Sequence, residues 1–191
     1  MKKLIILTTS FVFLLVFILP FAAAFLIKII PANDQPSYDI NNKRGIFGIN
    51  EVSQQFTSQE DNLTAIGLSL GNPNLKNKKE IIFYLTDTNG NEVRKVIISG
   101  ANVQDGDLIK FNFDPISVSK NVTYIFRLSS SSAGPEETLT VPFSTIKTSW
   151  IGPANYGEEV IENGLPIVTY HKPASHLLVV RQILTSWLSR I

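Results

Sequence analysis

Apolar and polar residues alternate along several short segments between residues 51 and 143. Within Leu63–Leu70, the side chains of Ile66, Leu68 and Leu70 fall on one face of an extended strand, because successive side chains of a strand point to opposite sides. Five to seven such strands are predicted, at a spacing of roughly ten residues. The candidate strands cover residues 52–57, 63–70, 80–87, 92–99, 108–113, 122–128 and 139–143, and residues 167–170 are a candidate closing strand.

Turn residues separate these segments. Asn89-Gly90 lies between two strand candidates and is typical of a tight hairpin, while Gly71-Asn72-Pro73-Asn74 and Asp105-Gly106-Asp107 mark two further turns. No helical period of useful length lies between the strands, so a βαβ arrangement is disfavoured. The pattern therefore predicts an all-β, antiparallel β-sandwich or barrel domain over residues 51–172.

The first 30 residues have a different character. Lys2 and Lys3 precede 24 residues without a charge, Leu4 to Ile27, and a helix of that length would span roughly 36 Å, more than a hydrocarbon core of about 30 Å. We interpret residues 1–30 as a single-pass transmembrane helix. A cleaved signal peptide is the alternative, since Ala22-Ala23-Ala24 offers a cleavage site, and a soluble core helix is a third.

Positive charge at the N-terminus predicts that this end is cytoplasmic and that the rest of the chain is extracytoplasmic. Residues 31–50 are rich in Pro, Asn, Asp and Gly and are predicted to form a linker. Membrane lipid is thus the first expected partner.

The last segment, residues 173–191, predicts a short amphipathic helix. Leu177, Val180, Leu184, Trp187 and Ile191 recur at spacings of three or four and share a helix face. The helix would either cover the sandwich or rest on the membrane, with Trp187 at the interface and arginines near lipid phosphates.

Composition narrows the possible functions. Lys2, Lys3 and Lys28 belong to the N-terminal segment, and the remaining 14 basic residues stand against 16 acidic ones, so no nucleic-acid partner is expected. The chain has no cysteine, which excludes a disulfide scaffold, a thiolate zinc site and a cysteine nucleophile.

Three stretches resemble jelly-roll modules of bacterial membrane-anchored envelope proteins: QQFTSQEDNLTAIGLSLGNPN, EIIFYLTDTNGNEVRKVIISG and DGDLIKFNFDPISVSKNVTYIFRLSS. Those modules look like carbohydrate-binding or galactose-binding-like domains. The resemblance covers about residues 51–150 and implies a jelly-roll-like sandwich that binds glycan. It does not carry over a glycosyltransferase activity, because no multi-span enzyme portion follows.

Candidate ligand-binding residues are the aromatic side chains in segments that the pattern leaves irregular. Trp150, Tyr156 and Tyr170 could form a sugar-binding platform, although core packing is the competing interpretation for Trp150. The phenylalanines at positions 83, 111, 113 and 126 alternate within strands and are predicted to lie in the core.

No catalytic, metal or cofactor site is predicted. His171 and His176 are the only histidines, and a zinc site needs three or four ligands. The turn carboxylates Asp87, Asp105, Asp107 and Asp114 suit calcium chemically, but no complete calcium-loop motif contains them. Adjacent pairs such as Glu136-Glu137 and Glu158-Glu159 are expected to be solvated.

We therefore expect a noncatalytic, membrane-anchored, extracytoplasmic sandwich that binds a glycan or another envelope component. The alternative is a structural or assembly subunit, whose sandwich and C-terminal helix contact a membrane protein partner.

Overall fold

A computed structural model describes residues 2–188 of the chain. The chain divides into two compact units. One consists of Met1–Ile30 together with Lys172–Ile191, and the other is the continuous segment Pro31–His171.

The unit Pro31–His171 is built from antiparallel strands. Its strands, numbered along the chain, are β1 (Ile30–Pro31), β2 (Tyr38–Ile46), β3 (Val52–Thr57), β4 (Leu63–Leu70), β5 (Glu80–Thr86), β6 (Glu92–Ser99), β7 (Asp107–Ile116), β8 (Thr123–Ser129), β9 (Leu139–Ser144), β10 (Ile151–Tyr156), β11 (Glu159–Ile161) and β12 (Ile167–His171). One sheet has the order β1-β12-β4-β7 and another the order β11-β10-β3-β8-β5-β6, while β2 pairs with β9. The prediction of a mainly β fold with antiparallel sheets is confirmed.

Aromatic side chains from the two larger sheets meet in one core. Phe83 on β5 stacks on Phe111 of β7 with ring centroids 4.8 Å apart, and Phe126 stacks on Phe83 at 5.5 Å. All three side chains are fully buried, as their alternation predicted, and Phe113 is half-buried against the same cluster. Since the stack joins β7 of one sheet to β5 of the other, the arrangement is consistent with a β-sandwich.

A buried polar network holds the loop between β4 and β5. The Asn72 side-chain amide donates to the carbonyls of Asn77, Gly100 and Val103, at 2.9, 3.0 and 3.2 Å, and its side-chain oxygen accepts a hydrogen bond from the backbone N–H of Asn77. Asn77 in turn donates to the carbonyl of Glu137 at 2.6 Å. Both asparagines are fully buried, and these bonds satisfy backbone groups that have no strand partner.

The predicted linker over residues 31–50 is wrong in its second half, where β2 pairs with β9 from Tyr38↔Ser144 to Ile46↔Leu139. Six of the nine β2 residues are exposed, so the strand carries no apolar alternation that the sequence could show. Arg44 on β2 also forms a two-point ion pair with Glu159 on β11, with N–O distances of 2.7 and 3.0 Å.

The segment after Trp150, which the pattern leaves irregular, contains two further strands. β10 pairs with β3 and β11 pairs with β10, so both extend the six-stranded sheet. Gly152 and Pro153 interrupt β10 and coincide with a shift in its register, which removes the period-two pattern.

The other unit is helical. Helix α1 (Lys2–Phe13), a π-helical segment (Leu14–Ile18) and helix α2 (Leu19–Leu26) follow one another, and helix α3 (His176–Leu188) lies near the other chain end. Within residues 2–188, we find no helix whose length and apolar character would let it cross a membrane.

Helix α3 packs on α2, a partner that the sequence did not indicate. Val179 and Val180 are buried against Ala24, with Ile183 and Leu184 beside them. Leu177, predicted on the same face as Val180 and Leu184, is 69% exposed, so the buried face is rotated toward Val179. The Trp187 side chain and Ile191, which complete the predicted face, lie outside the described part of the chain.

Candidate functional site

A cleft opens where β2, β9 and the C-terminal end of β4 meet the turn that precedes β7. Its volume is about 80 Å³, and since one water needs about 10–15 Å³, it admits a group of several non-hydrogen atoms, about the size of one small ring. The lining residues are Tyr38, Ile40, Lys43, Ser69, Leu70, Gly71, Asp105, Gly106, Thr140 and Pro142.

The floor of the cleft is formed by Gly71. Its backbone N–H donates to the Thr140 carbonyl, and its own carbonyl accepts a hydrogen bond from the Thr140 N–H, both at 2.8 Å. A Cβ atom at position 71 would overlap with Thr140 Oγ1 and lie 2.6 Å from Asp105 Oδ1. The absence of a side chain at Gly71 therefore lets a hydroxyl and a carboxylate approach the same point.

Backbone pairing fixes Asp105 and Thr140 in place. The Gly106 N–H donates to the Leu70 carbonyl at 3.0 Å, which holds the turn containing Asp105 against the end of β4. Thr140 is the cross-strand partner of Gly45 on β2. Within residues 2–188, neither the Asp105 carboxylate nor the Thr140 hydroxyl makes a hydrogen bond or an ion pair, so both can bind a ligand.

Strand β2 contributes Tyr38, Ile40 and Lys43 to the lining of the cleft. Lys43 pairs with Pro142, and because alternate residues of a strand share a face, its side chain lies on the same face of this sheet as Thr140. The register of β2 shifts between Asp39 and Lys43, so Ile40 is unpaired and 65% exposed at the rim. Tyr38, 37% exposed, supplies an aromatic ring and a hydroxyl.

The three aromatic residues predicted to bind ligand do not line this cleft. Trp150 is half-buried and packs against the hydrophobic core, and Tyr156 on β10 donates its hydroxyl to the Gly45 carbonyl at 2.8 Å. Tyr170 on β12 is only 6% exposed, and its ring lies over Gly67 of β4. Trp150 and Tyr156 are associated with the six-stranded sheet and Tyr170 with the four-stranded one. The structure therefore gives no support to a shared platform.

Several other acidic residues considered in the sequence analysis accept hydrogen bonds from neighbouring residues of their own turns. Asp87 accepts hydrogen bonds from Asn91 and Asn89 in the β5–β6 turn, and these bonds, those from Asn91 first, lower the pKa of its carboxyl. Asp107 accepts the Gln104 N–H, and Glu137 accepts the Gly134 N–H. In the described part of the chain, no three His, Asp or Glu side chains cluster closely enough to hold a metal ion.

His171 ends β12 and is partly buried. Its Nδ1 atom is buried without a hydrogen-bond partner in the described residues, and burial lowers the pKa of the imidazole, against a smaller opposing effect of Glu60. The other histidine, His176, donates from Nδ1 to the Ala24 carbonyl at 3.0 Å and stacks on Phe25.

Two turn signals in the sequence mark the floor of the cleft, namely Gly71 and Asp105-Gly106. Tyr38, Lys43 and Thr140, which line the rest of the cleft, could not be predicted from the sequence, because they lie far from those turns along the chain. Only the pairing of β9 with both β2 and Gly71 brings them together.

Comparison with protein-family models and with curated proteins gave no match for this chain.

Gly71→Ala is expected to lower the free energy of unfolding by about 1–3 kcal/mol, because the new methyl group has no room beside Thr140 and Asp105. The additional change Thr140→Ala should recover part of this loss, since it removes one of the two overlapping atoms. Urea titration of the full chain in detergent measures both effects. Gly134→Ala is the matched control, because a Cβ there meets nothing within 4 Å. Strictly additive effects of the two changes would contradict the geometry.

The lowered pKa of His171 predicts a loss of stability in mild acid. The imidazole of the unfolded chain titrates near pH 6.5. As the pH decreases toward and below this value, the unfolded state binds more protons than the folded state, so the free energy of unfolding decreases. We expect the unfolding temperature to drop between about pH 7.5 and about pH 5.5. The drop should be smaller in His171→Gln and unchanged in the control His176→Gln. Equal pH profiles for the wild type and His171→Gln would show that this histidine is not responsible.

Proposed function

We propose that this protein is a membrane-tethered, extracytoplasmic and noncatalytic β-sandwich, jelly-roll-like in its topology, that binds a glycan in the cleft above Gly71. The observation that carries this proposal is the convergence of the free Asp105 carboxylate and the free Thr140 hydroxyl beside the exposed ring of Tyr38. Sugars are recognised by the same combination of polar groups that fix hydroxyls and an apolar or aromatic surface that contacts the ring.

The size and composition of the cleft favour binding over catalysis. About 80 Å³ suits one ring of a longer chain and not a buried oligosaccharide. Asp105 is the single carboxylate among the lining residues, whereas glycoside hydrolysis uses a pair of carboxylates on either side of the bond. Among the described residues, no histidine lines the cleft that could activate one of its hydroxyls.

The proposed tether is the N-terminal helical run. The helical elements continue from Lys2 to Leu26 without a non-helical residue, and no charge follows Lys3 until Lys28. Phe11, Phe25 and Leu26 are 61, 66 and 81% exposed, which is costly in water and favourable in lipid.

Packing at the end of the alanine triplet favours a retained tether over a cleaved signal peptide. Ala24 is fully buried against α3, and its carbonyl accepts the hydrogen bond of His176. Cleavage after Ala24 would separate that residue from Phe25, whose ring stacks on His176 at 4.9 Å.

A second candidate function is that of an assembly subunit for a membrane partner. It is favoured by Leu177 and Leu178, which are 69 and 54% exposed on α3 next to the buried pair Val179 and Val180. Adjacent apolar residues on an exposed helix surface suit contact with lipid or with a second helix.

Glycan binding is tested by screening the full chain in detergent against an array of bacterial envelope polysaccharides. We expect saturable binding that weakens at least about tenfold in Tyr38→Ala and in Thr140→Val, because each removes a group at the cleft. Tyr84→Ala is the matched aromatic control, since Tyr84 lies on β5 outside the cleft. Loss of binding in Trp150→Ala with retention in Tyr38→Ala would instead favour the platform predicted from the sequence.

The tether predicts that the intact polypeptide sediments with membranes and that added protease digests residues 31–171 only from the extracytoplasmic side. Fractionation followed by N-terminal sequencing measures this. A soluble form that begins at Phe25 would show that the N-terminal segment is a signal peptide. Copurification of an integral membrane protein that is lost in Leu177→Gln/Leu178→Gln would favour the second candidate function.

A further inference from the structure

Two opposite charges line the same cleft without pairing with each other. Lys43 lies on the β2 wall, and Asp105 lies in the turn that precedes β7. Neither side chain forms an ion pair or a hydrogen bond within residues 2–188. Elsewhere in the same unit, comparable charges do pair, such as Lys120 with Glu60 at 3.3 Å and Arg44 with Glu159 at 2.7 Å.

The Asp105 side of the cleft suits a positively charged donor. Asp105 Oδ1 lies 2.6 Å from the point that a Cβ of Gly71 would occupy, and Thr140 Oγ1 lies against the same point. An ionised carboxylate only accepts hydrogen bonds, whereas an ammonium group offers three donors and no acceptor. A hydroxyl also forms a charge-assisted hydrogen bond with the carboxylate, but an ammonium group adds the attraction between opposite charges, so an amine is held here more tightly than a hydroxyl.

The β2 side of the cleft suits an anion. The Lys43 ammonium only donates, and the register of β2 with β9 places its side chain on the face that carries Thr140 and Pro142. The Tyr38 hydroxyl, which makes no hydrogen bond within the described residues, is a second donor on this wall.

Resting on the proposed glycan binding, we infer that the cleft selects a zwitterionic sugar unit, a ring that carries both a free amino group and an acid group. Asp105 and Thr140 bind the amino group, and Lys43 binds the acid group. A neutral sugar offers its hydroxyls to both charges but no opposite charge, and a sugar with one charge supplies an opposite charge to only one of them.

The test compares four probes on the full chain in detergent, at a mildly acidic pH that keeps the amines protonated. The probes are glucose, glucosamine, glucuronic acid and muramic acid, which carry no charge, a cation, an anion and both charges, respectively. Titration calorimetry or ligand-observed NMR gives the affinities. We expect muramic acid to bind at least about tenfold more tightly than glucose, with the two singly charged sugars between them.

Two charge-removing variants assign each group. Asp105→Asn should weaken glucosamine and muramic acid about tenfold and leave glucuronic acid unchanged. Lys43→Met should weaken glucuronic acid and muramic acid and leave glucosamine unchanged. Lys147→Met and Asp114→Asn are matched controls, since both residues are exposed and neither lines the cleft. Thermal unfolding verifies that each variant is folded. If a variant does not fold, the order of the four affinities measured for the wild-type protein tests the inference alone.

The outcomes separate this inference from the function on which it rests. Equal affinity for all four sugars, with binding still lost in Tyr38→Ala and Thr140→Val, would overturn zwitterion selectivity and leave glycan binding in place. Absence of binding to these probes and to the polysaccharide array would overturn both.

Discussion

The two backbone hydrogen bonds between Gly71 and Thr140 are the constraint on which the cleft depends. They attach β9, and through β9 the strand β2, to the end of β4, which is itself fixed in the four-stranded sheet by β7 and β12. The approach is possible only because residue 71 has no side chain that would meet Thr140 and Asp105. A single glycine therefore determines both how closely the β2–β9 pair approaches and which polar atoms face the opening.

Small side chains also allow close packing on the outer face of β4. All eight β4 residues are buried, so this strand needs cover on both faces, and the face opposite the core carries only Ala65, Gly67 and Ser69. The ring of Tyr170 occupies the space above Gly67, and the Lys110 ammonium lies 4.5 Å from its centroid. The Tyr170 ring thus covers the small residues of this β4 face. This packing accounts for its burial and leaves the ring inaccessible to a sugar.

Period-two alternation predicted the strands that bury one face against the core, among them β4, β7 and β8, because burial of alternate residues is what the sequence records. It did not predict β2, whose residues are mostly exposed and which is held by backbone pairing with β9 and by the ion pair of Arg44. Prediction of the cleft residues from the sequence was limited in the same way. Gly71 and Asp105 stood out as turn residues, whereas Tyr38, Lys43 and Thr140 acquire their role only through contacts with distant parts of the chain.

Concavity is what distinguishes Lys43 and Asp105 from other unpaired charges on this surface. An exposed ammonium such as that of Lys78, which pairs with no described residue, keeps its water and needs no partner. A charge on the wall of a cleft loses water when any ligand enters, and that loss favours only a ligand that returns an opposite charge or a strong hydrogen bond. Two such charges in one cleft impose this condition twice, so the arrangement penalises neutral ligands more than it strengthens total binding, and selectivity follows from the penalty.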